Sequence, residues 1–418
     1  MKWQKIIKRI FQGDSVIWTI FLILCAISIV EVFSASSILT LGKGNPWKHV
    51  IEQTEYVFFG LCVALVAHLI PHKFYQILGS FGLLVSWILL VWVLFKGEEV
   101  NGASRAITIF GVGFQPLELA KLTLVLTIAT MMSRVHEKGW NIQKIFWWII
   151  GLTGVTCLLI FKENLSTAIL IGFVVCLFMW VGQLGAKRMT LLTTAGLITA
   201  VGVFLFIKNP PAWVGSTNID RFVTWSNRLN FVSPKDDGVA ATDYQITDQN
   251  RQFTHAQIAI ATGGIVGKMP GKSEQRDLLS NGFSDYIYAI IIEETGLIGG
   301  AFVLFLYLIL LYRAMRLAKR CHRTFPAFVV MGLSLMMVVQ ALMSMAVAVG
   351  WIHTGQPLPL ISKGGTSMLI SAAYIGIILS VSRYIEAIDR ARQEESNATL
   401  VSIEQQEAVS TDTPFASE

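Results

Sequence analysis

Three carboxylates, Asp285, Glu293 and Glu294, stand in the stretch Asn281 to Gly300, NGFSDYIYAIIIEETGLIGG, at the head of a long apolar run. An ionised side chain at membrane depth is costly unless it faces a cavity or a partner, so these acids are candidates for function. Asp285 sits at the mouth of the run, where a carboxylate can take the proton of an attacking hydroxyl. The plainer reading is a helix cap or first-turn acid favoured by the helix dipole. At 100° per residue, Glu293 lies about 80° around a helix from Asp285 and more than two turns deeper, so it is expected to line the same cavity. Glu294 then faces the opposite side and is expected to pair with another helix.

Two further polar islands interrupt the apolar sequence. The first, NGASRAITIFGVGFQPLELAK at 101–121, contains Gln115-Pro116, a helix start with proline at its first position. Glu118 and Lys121 then fall one turn apart, either as a pair that neutralises itself or with Lys121 or Arg105 meeting an anionic lipid headgroup. The second, HTGQPLPLISKGGTS at 353–367, holds two prolines and three glycines and carries Lys363. It cannot form a regular helix, so its backbone must be buried in protein or line a wet cavity. Between these islands, residues 208–284 collect Arg221, Arg228, Arg251, Lys268, Lys272 and Arg276 with Gln245, His255 and Gln257. They make either a solvated basic face or a site for an anionic, pyrophosphate-bearing substrate. Lys268-Met-Pro-Gly-Lys-Ser is not a phosphate-binding P-loop, because Val266 stands where that motif needs glycine.

The elements that must position these residues are membrane helices. Of the 418 residues, 54% are hydrophobic and 14% charged, and the mean hydropathy is +0.59, which describes an all-α integral membrane protein. Spans of about 20 apolar residues are expected near 15–35, 55–71, 76–95, 115–133, 145–161, 165–182, 189–207, 285–312, 325–349 and 366–385. The N-terminal tail and the alternate loops hold 18 Lys and Arg, against six in the other short loops. That bias places both termini in the cytoplasm and the large loop 208–284, between the seventh and eighth spans, outside. The first apolar run is too long for a signal-peptide core, so residues 1–14 are read as a cytoplasmic lead-in, 15–385 as the membrane domain and 386–418 as a disordered polar tail. The net charge of +6 comes from clusters between spans, which excludes a nucleic-acid surface. Five cysteines without CxxC spacing exclude a disulfide framework or a zinc site.

The two islands, together with ATGGIVGKMPGKSEQRDLLSNGFSDYIYAIIIEETGLIGG, resemble in type and order the SEDS family, the group of FtsW, RodA and SpoVE. The family's (H/Y)(T/S)DF(I/V)(F/Y)A segment reads FSDYIYA here, with Asp285 on the catalytic acid. Departures are Ala106 for a tryptophan, Leu117 in QPLE, Lys162-Glu-Asn-Leu-Ser-Thr167, Ser344 for an asparagine, and Ser362-Lys-Gly-Gly-Thr-Ser367. The resemblance implies a ten-span glycosyltransferase that polymerises lipid II into glycan strands, with Asp285 as general base. Arg105, Glu118, Lys121, Arg221, Gln245, Lys268, Lys272, Glu293 and Lys363 are the candidates for substrate binding. It also implies a class B penicillin-binding transpeptidase and other divisome membrane proteins as partners, in the bacterial cytoplasmic (inner) membrane at the septum. The lead-in, first span and polar tail are more similar to the division members than to the elongation member RodA. A divalent cation such as Mg2+ or Mn2+ stays open as a cofactor. A lipid II flippase and a non-enzymatic division scaffold are the competing functions.

Overall fold

The computed structural model describes residues 12–36, 47–96, 98–100, 103–109, 112–161, 164–185, 187–194, 251–279, 282–352 and 354–411, with residues 196, 202 and 205 besides. The apolar runs are helices because, in lipid, a helix satisfies every backbone donor and acceptor within its own segment. They are α1 (Ser15–Ser36), α2 (Trp47–Leu69), α3 (Phe74–Lys96), α4 (Pro116–Lys138), α5 (Ile142–Phe161) and α6 (Leu165–Val181). After them come α7 (Arg251–Gly263), α8 (Ile287–Arg320), α9 (Thr324–Val349) and α10 (Gly365–Thr411). Among the described residues eight helices are long and apolar enough to cross a membrane, and α6 is a shorter apolar helix. The span expected at 189–207 falls largely outside the described residues, which show helix at 187–194.

Among the described residues the fold is helical apart from one element absent from the all-α expectation. Between α3 and α4 the chain forms a three-stranded antiparallel sheet, β1 (Glu98–Val100), β2 (Ala103–Ile109) and β3 (Val112–Phe114). Its β2–β3 register pairs Ile107 with Phe114 and Ile109 with Val112. Such β-branched and aromatic pairs suit a short sheet where polar residues preclude a span. A second difference lies after residue 385: α10 runs on to Thr411, where the sequence reading expected a disordered tail. That extension is rich in Ala, Glu, Gln and Arg, whose helix propensity can continue a helix already nucleated in the bundle.

Helix α4 is the hub, packed against α3, α5, α9 and α10, and its Leu124, Val125, Leu126, Ile128 and Ala129 have no exposed surface. Helix α8 is broken. Gly296 has φ 73° and ψ −177°, and the gap is filled by the loop that follows α7. Lys268 N and Met269 N donate to the carbonyls of Glu293 and Glu294 at 2.9 and 2.8 Å. Leu297 N and Ile298 N donate to Gly264 O and Ile265 O at 3.0 and 3.3 Å. Residues 297–319 alone give about 34 Å of helix at 1.5 Å per residue, enough for a hydrocarbon core of about 30 Å. The shorter part, 287–295, is therefore free to serve as a support inside the protein, and residues 287–294 are all buried.

Candidate active site

Asp285 lies in the turn just before α8 rather than on the helix, which begins at Ile287. One irregular segment, 354–364, holds that turn. Ser362 Oγ donates to Ser284 O at 2.6 Å, and Lys363 N donates to Phe283 O at 3.0 Å. The segment is the proline- and glycine-rich stretch of the sequence, and Gln356 and residues 358–362 are buried. Its backbone is satisfied by protein: Ser28 Oγ donates to Ile361 O at 2.7 Å, Gln340 Nε2 to Pro357 O at 3.3 Å, and Tyr307 Oη to Pro359 O. Irregular backbone at membrane depth is tolerated only when buried in this way.

The Asp285 carboxylate takes a hydrogen bond from Ser284 Oγ at 3.2 Å and lies directly against Gly355. A Cβ at position 355 would stand 2.5 Å from Asp285 Oδ2, so only glycine leaves the carboxylate where it is. Both residues line a cavity of about 130 Å3. Its polar lining comes from Gln115 and Glu118 at the start of α4, Asn164 and Thr167 at the start of α6, and Ser284, Asp285 and Gln356. Its apolar lining comes from Leu90, Val93 and Leu94 of α3, Leu159 and Ile160 of α5, and Pro116, Leu117 and Pro357. Part of the polar lining is tied together. Asn164 Oδ1 accepts Thr167 N at 3.1 Å as a helix cap, and Gln356 Nε2 donates to Thr167 Oγ1 at 2.6 Å.

The candidate residues separate into groups. Of those chosen from the sequence, Asp285 and Glu118 line the cavity. Lys121 lies behind it, 1% exposed, with its ammonium 2.8 Å from Glu118 and 2.7 Å from Gln340 Oε1. A buried ammonium is stable only with close partners, and Glu118 and Gln340 are those partners here. The expectation that Glu293 shares the cavity with Asp285 is corrected: the helical-wheel argument fails because Asp285 precedes the helix. Glu293 instead holds the loop after α7, with Lys268 Nζ at 3.0 Å. Glu294 meets another helix, accepting Ser34 Oγ of α1, with Arg276 Nη1 at 3.9 Å. Lys268 is occupied by Glu293, and this hydrogen bond, more than any other influence, raises its pKa. Lys272 is exposed on the same loop.

Lys363 pairs with Glu52 of α2 at 3.2 Å and lies over the Phe283 ring at 5.7 Å, bracing the turn rather than lining the cavity. Arg105 lies on β2. Arg221, Arg228 and Gln245 lie outside the described residues. Sequence reasoning did not select Gln115, Thr167, Gly355, Gln356 or Gln340. The Gln115-Pro116 helix start and the Gly-Gln-Pro within the irregular island were the available signals.

Known proteins carry the same architecture. Residues 14–387 match the family model described as "Cell cycle protein", which covers FtsW, RodA and SpoVE. The "Probable peptidoglycan glycosyltransferase FtsW" of Halomonas elongata is 31% identical over 381 residues, covering 88% of this chain and 89% of that protein. The protein of the same name from Haemophilus influenzae is 29% identical over 390 residues, covering 91% and 93%. Among solved structures, a chain from a work entitled "Structural coordination of polymerization and crosslinking by a peptidoglycan synthase complex" superposes with TM-score 0.64 at 23% identity, covering 89% of this chain and 98% of that one. The rod shape determining protein RodA of Thermus thermophilus gives 0.61 at 24%, covering 89% and 97%. These two likenesses establish the fold, while the sequence matches span nearly the whole membrane domain. The chain is therefore a membrane protein that belongs to the FtsW/RodA/SpoVE family.

Proposed function

We propose that the chain is a peptidoglycan glycosyltransferase that joins lipid II into glycan strands during cell division, with Asp285 as the general base. The observation that carries this reading is the Asp285 carboxylate, seated against Gly355 in a cavity lined by both polar and apolar residues. A lipid-linked sugar likewise combines polar and apolar parts. In the reaction a sugar 4-hydroxyl attacks the anomeric carbon of the donor. The new C–O bond forms as the bond to the lipid pyrophosphate breaks, and the hydroxyl proton passes to the carboxylate. One base suffices, without the carboxylate pair of glycosidases. At about 130 Å3 the cavity takes the reacting edge of a sugar rather than a whole disaccharide. Among the described residues no Lys or Arg lines it, and Arg105, on β2, is the cation proposed for the departing charge on the family resemblance.

The division assignment follows the FtsW relatives, and a transpeptidase partner follows the synthase-complex neighbour. Ten spans, cytoplasmic termini and a septal location in the inner membrane complete the reading, on the charge bias and the family resemblance. Among the described residues no group of three or more His, Cys, Asp and Glu stands ready for a metal. A divalent cation is proposed to bind through the substrate's phosphate oxygens.

The test is lipid II polymerisation by purified protein with its transpeptidase partner, read as glycan length on a gel. Asp285→Asn is expected to lower the rate by about 10²–10⁴-fold while the protein remains folded. Full activity in that variant, or lipid II translocation without any polymer, would overturn the assignment.

A further inference from the structure

The break in α8 is built rather than incidental. At Gly263, Gly267 and Gly296 a Cβ would collide with the backbone of the opposing segment, so all three glycines are needed for the loop after α7 to enter the helix. Gly267 and Gly296 also have φ of 85° and 73°, in the left-handed region. Beside the break sits Glu293, whose side chain has no exposed surface.

Its carboxylate collects four donors from the loop. Lys268 Nζ lies at 3.0 Å, Glu274 N at 3.1 Å and Gln275 N at 3.3 Å, and Ser273 Oγ is the fourth. The two amides open the 3-10 turn Gln275–Asp277, and Gln275 Oε1 in turn meets His255 Nδ1 of α7 at 2.8 Å. One carboxylate thus joins α7, the loop and the part of α8 that begins two residues after Asp285.

We infer that Glu293 is a positioning residue for the reaction. It locks segment 264–277 to residues 287–295 as one body, so that Asp285 meets Gly355 in a single arrangement. A buried carboxylate with four donors resists rotation, and an amide in its place accepts fewer of them and leaves the Lys268 ammonium only the exposed Glu274 carboxylate at 3.2 Å. This inference rests on the glycosyltransferase reading only for its effect on rate. The lock itself is a statement about the loop.

The experiment uses the full chain in nanodiscs with its transpeptidase partner, comparing wild type, Glu293→Gln, Glu293→Asp, Lys268→Met and Glu274→Ala. Backbone amide exchange of 264–277 is followed by mass spectrometry, and kcat and KM for lipid II are measured separately. Glu293→Gln is expected to speed exchange in 264–277 by at least about tenfold and to lower kcat by a similar factor, with KM within about threefold. Glu293→Asp and Lys268→Met, each keeping part of the donor set, should fall between Gln and wild type. Glu274→Ala removes only the solvent-exposed pairing of its carboxylate with Lys268 at 3.2 Å and should stay within about twofold of wild type, because Glu293 uses the backbone of Glu274 and the Glu274 side chain is 75% exposed.

Unchanged exchange and unchanged kcat in Glu293→Gln would overturn the inference while leaving the glycosyltransferase reading intact. Faster exchange with an unaltered kcat would overturn the positioning role alone. A wild-type protein that fails to polymerise lipid II would defeat the functional reading, with exchange still deciding on the lock. If Glu293→Gln does not fold, the graded Asp and Met variants decide, and wild-type kcat in both would overturn the role.

Discussion

Replacing Gly355 with alanine perturbs the candidate site at one atom. The added Cβ would lie 2.5 Å from Asp285 Oδ2, whereas ordinary contact begins at 3.4 Å, so the carboxylate must retreat by about 0.9 Å. Gly355 does not use the left-handed region, so alanine fits its backbone. The atom that must give way ends a side chain with two torsions, which makes the shift cheap in stability. Overpacking of about 1–3 kcal/mol is partly offset by the 0.4–1 kcal/mol that Gly→Ala gains through the unfolded chain. Catalysis is less forgiving, since a misplacement of about 1 Å can cost about 10²-fold, or roughly 2.7 kcal/mol of barrier. The assay is the initial rate of lipid II polymerisation at saturating substrate, with Tm in the same detergent as the measure of folding. Gly364→Ala is the control, because its Cβ would meet only Ser367 Cβ at 3.5 Å. A Gly355→Ala protein with unchanged Tm and wild-type rate would refute the argument, since the carboxylate would then not be where the proton is taken.

Other consequences concern the supports of the site. Lys121→Met leaves Glu118 buried without the ammonium 2.8 Å away and should cost about 3–5 kcal/mol, seen as a lowered Tm, with the double variant Glu118→Gln/Lys121→Met recovering much of it. At the other end of the bundle His72 is buried against Tyr384, with ring centroids 4.2 Å apart. Burial first, and then Lys73 and Arg323, hold its pKa below the usual 6.5. Below pH 6.5 the unfolded chain binds a proton that the folded protein refuses, so stability falls as pH falls and is unaffected above that value. In His72→Gln the decline of Tm on acidification should be shallower, and an identical decline would show that another group is responsible.

Much of the architecture was legible because a helix crossing lipid requires an uninterrupted apolar run, which hydropathy records directly. Asp285 was legible for the related reason that a carboxylate beside such a run is costly. What sequence could not give was the relation between acids on either side of a helix start. The wheel from Asp285 to Glu293 assumes a helix that begins by Asp285 and continues unbroken. In fact the helix starts at Ile287 and breaks at Gly296. The traces of the break were present in Gly263, Gly264, Gly267 and Gly296. Which backbone each glycine approaches is a long-range fact, settled only when α7 is laid beside α8. The partnership of Lys121 with Gln340, 219 positions away, was equally beyond local pattern.

The same distinction explains why the site is made of irregular chain. A carboxylate on a membrane helix points wherever the helix phase dictates, and that phase is already committed to packing. A turn pinned to an irregular segment carries no such commitment. Asp285 gains its direction from Gly355 against its carboxylate and from two hydrogen bonds joining 283–284 to 362–363. The irregular segment gains its own position from Ser28 of α1, Tyr307 of α8 and Gln340 of α9. Three helices distant in sequence therefore fix one carboxylate through an irregular segment that belongs to none of them. It follows that Gln340, which is not itself among the residues lining the cavity, bears on the base through Pro357 and the two residues that precede it.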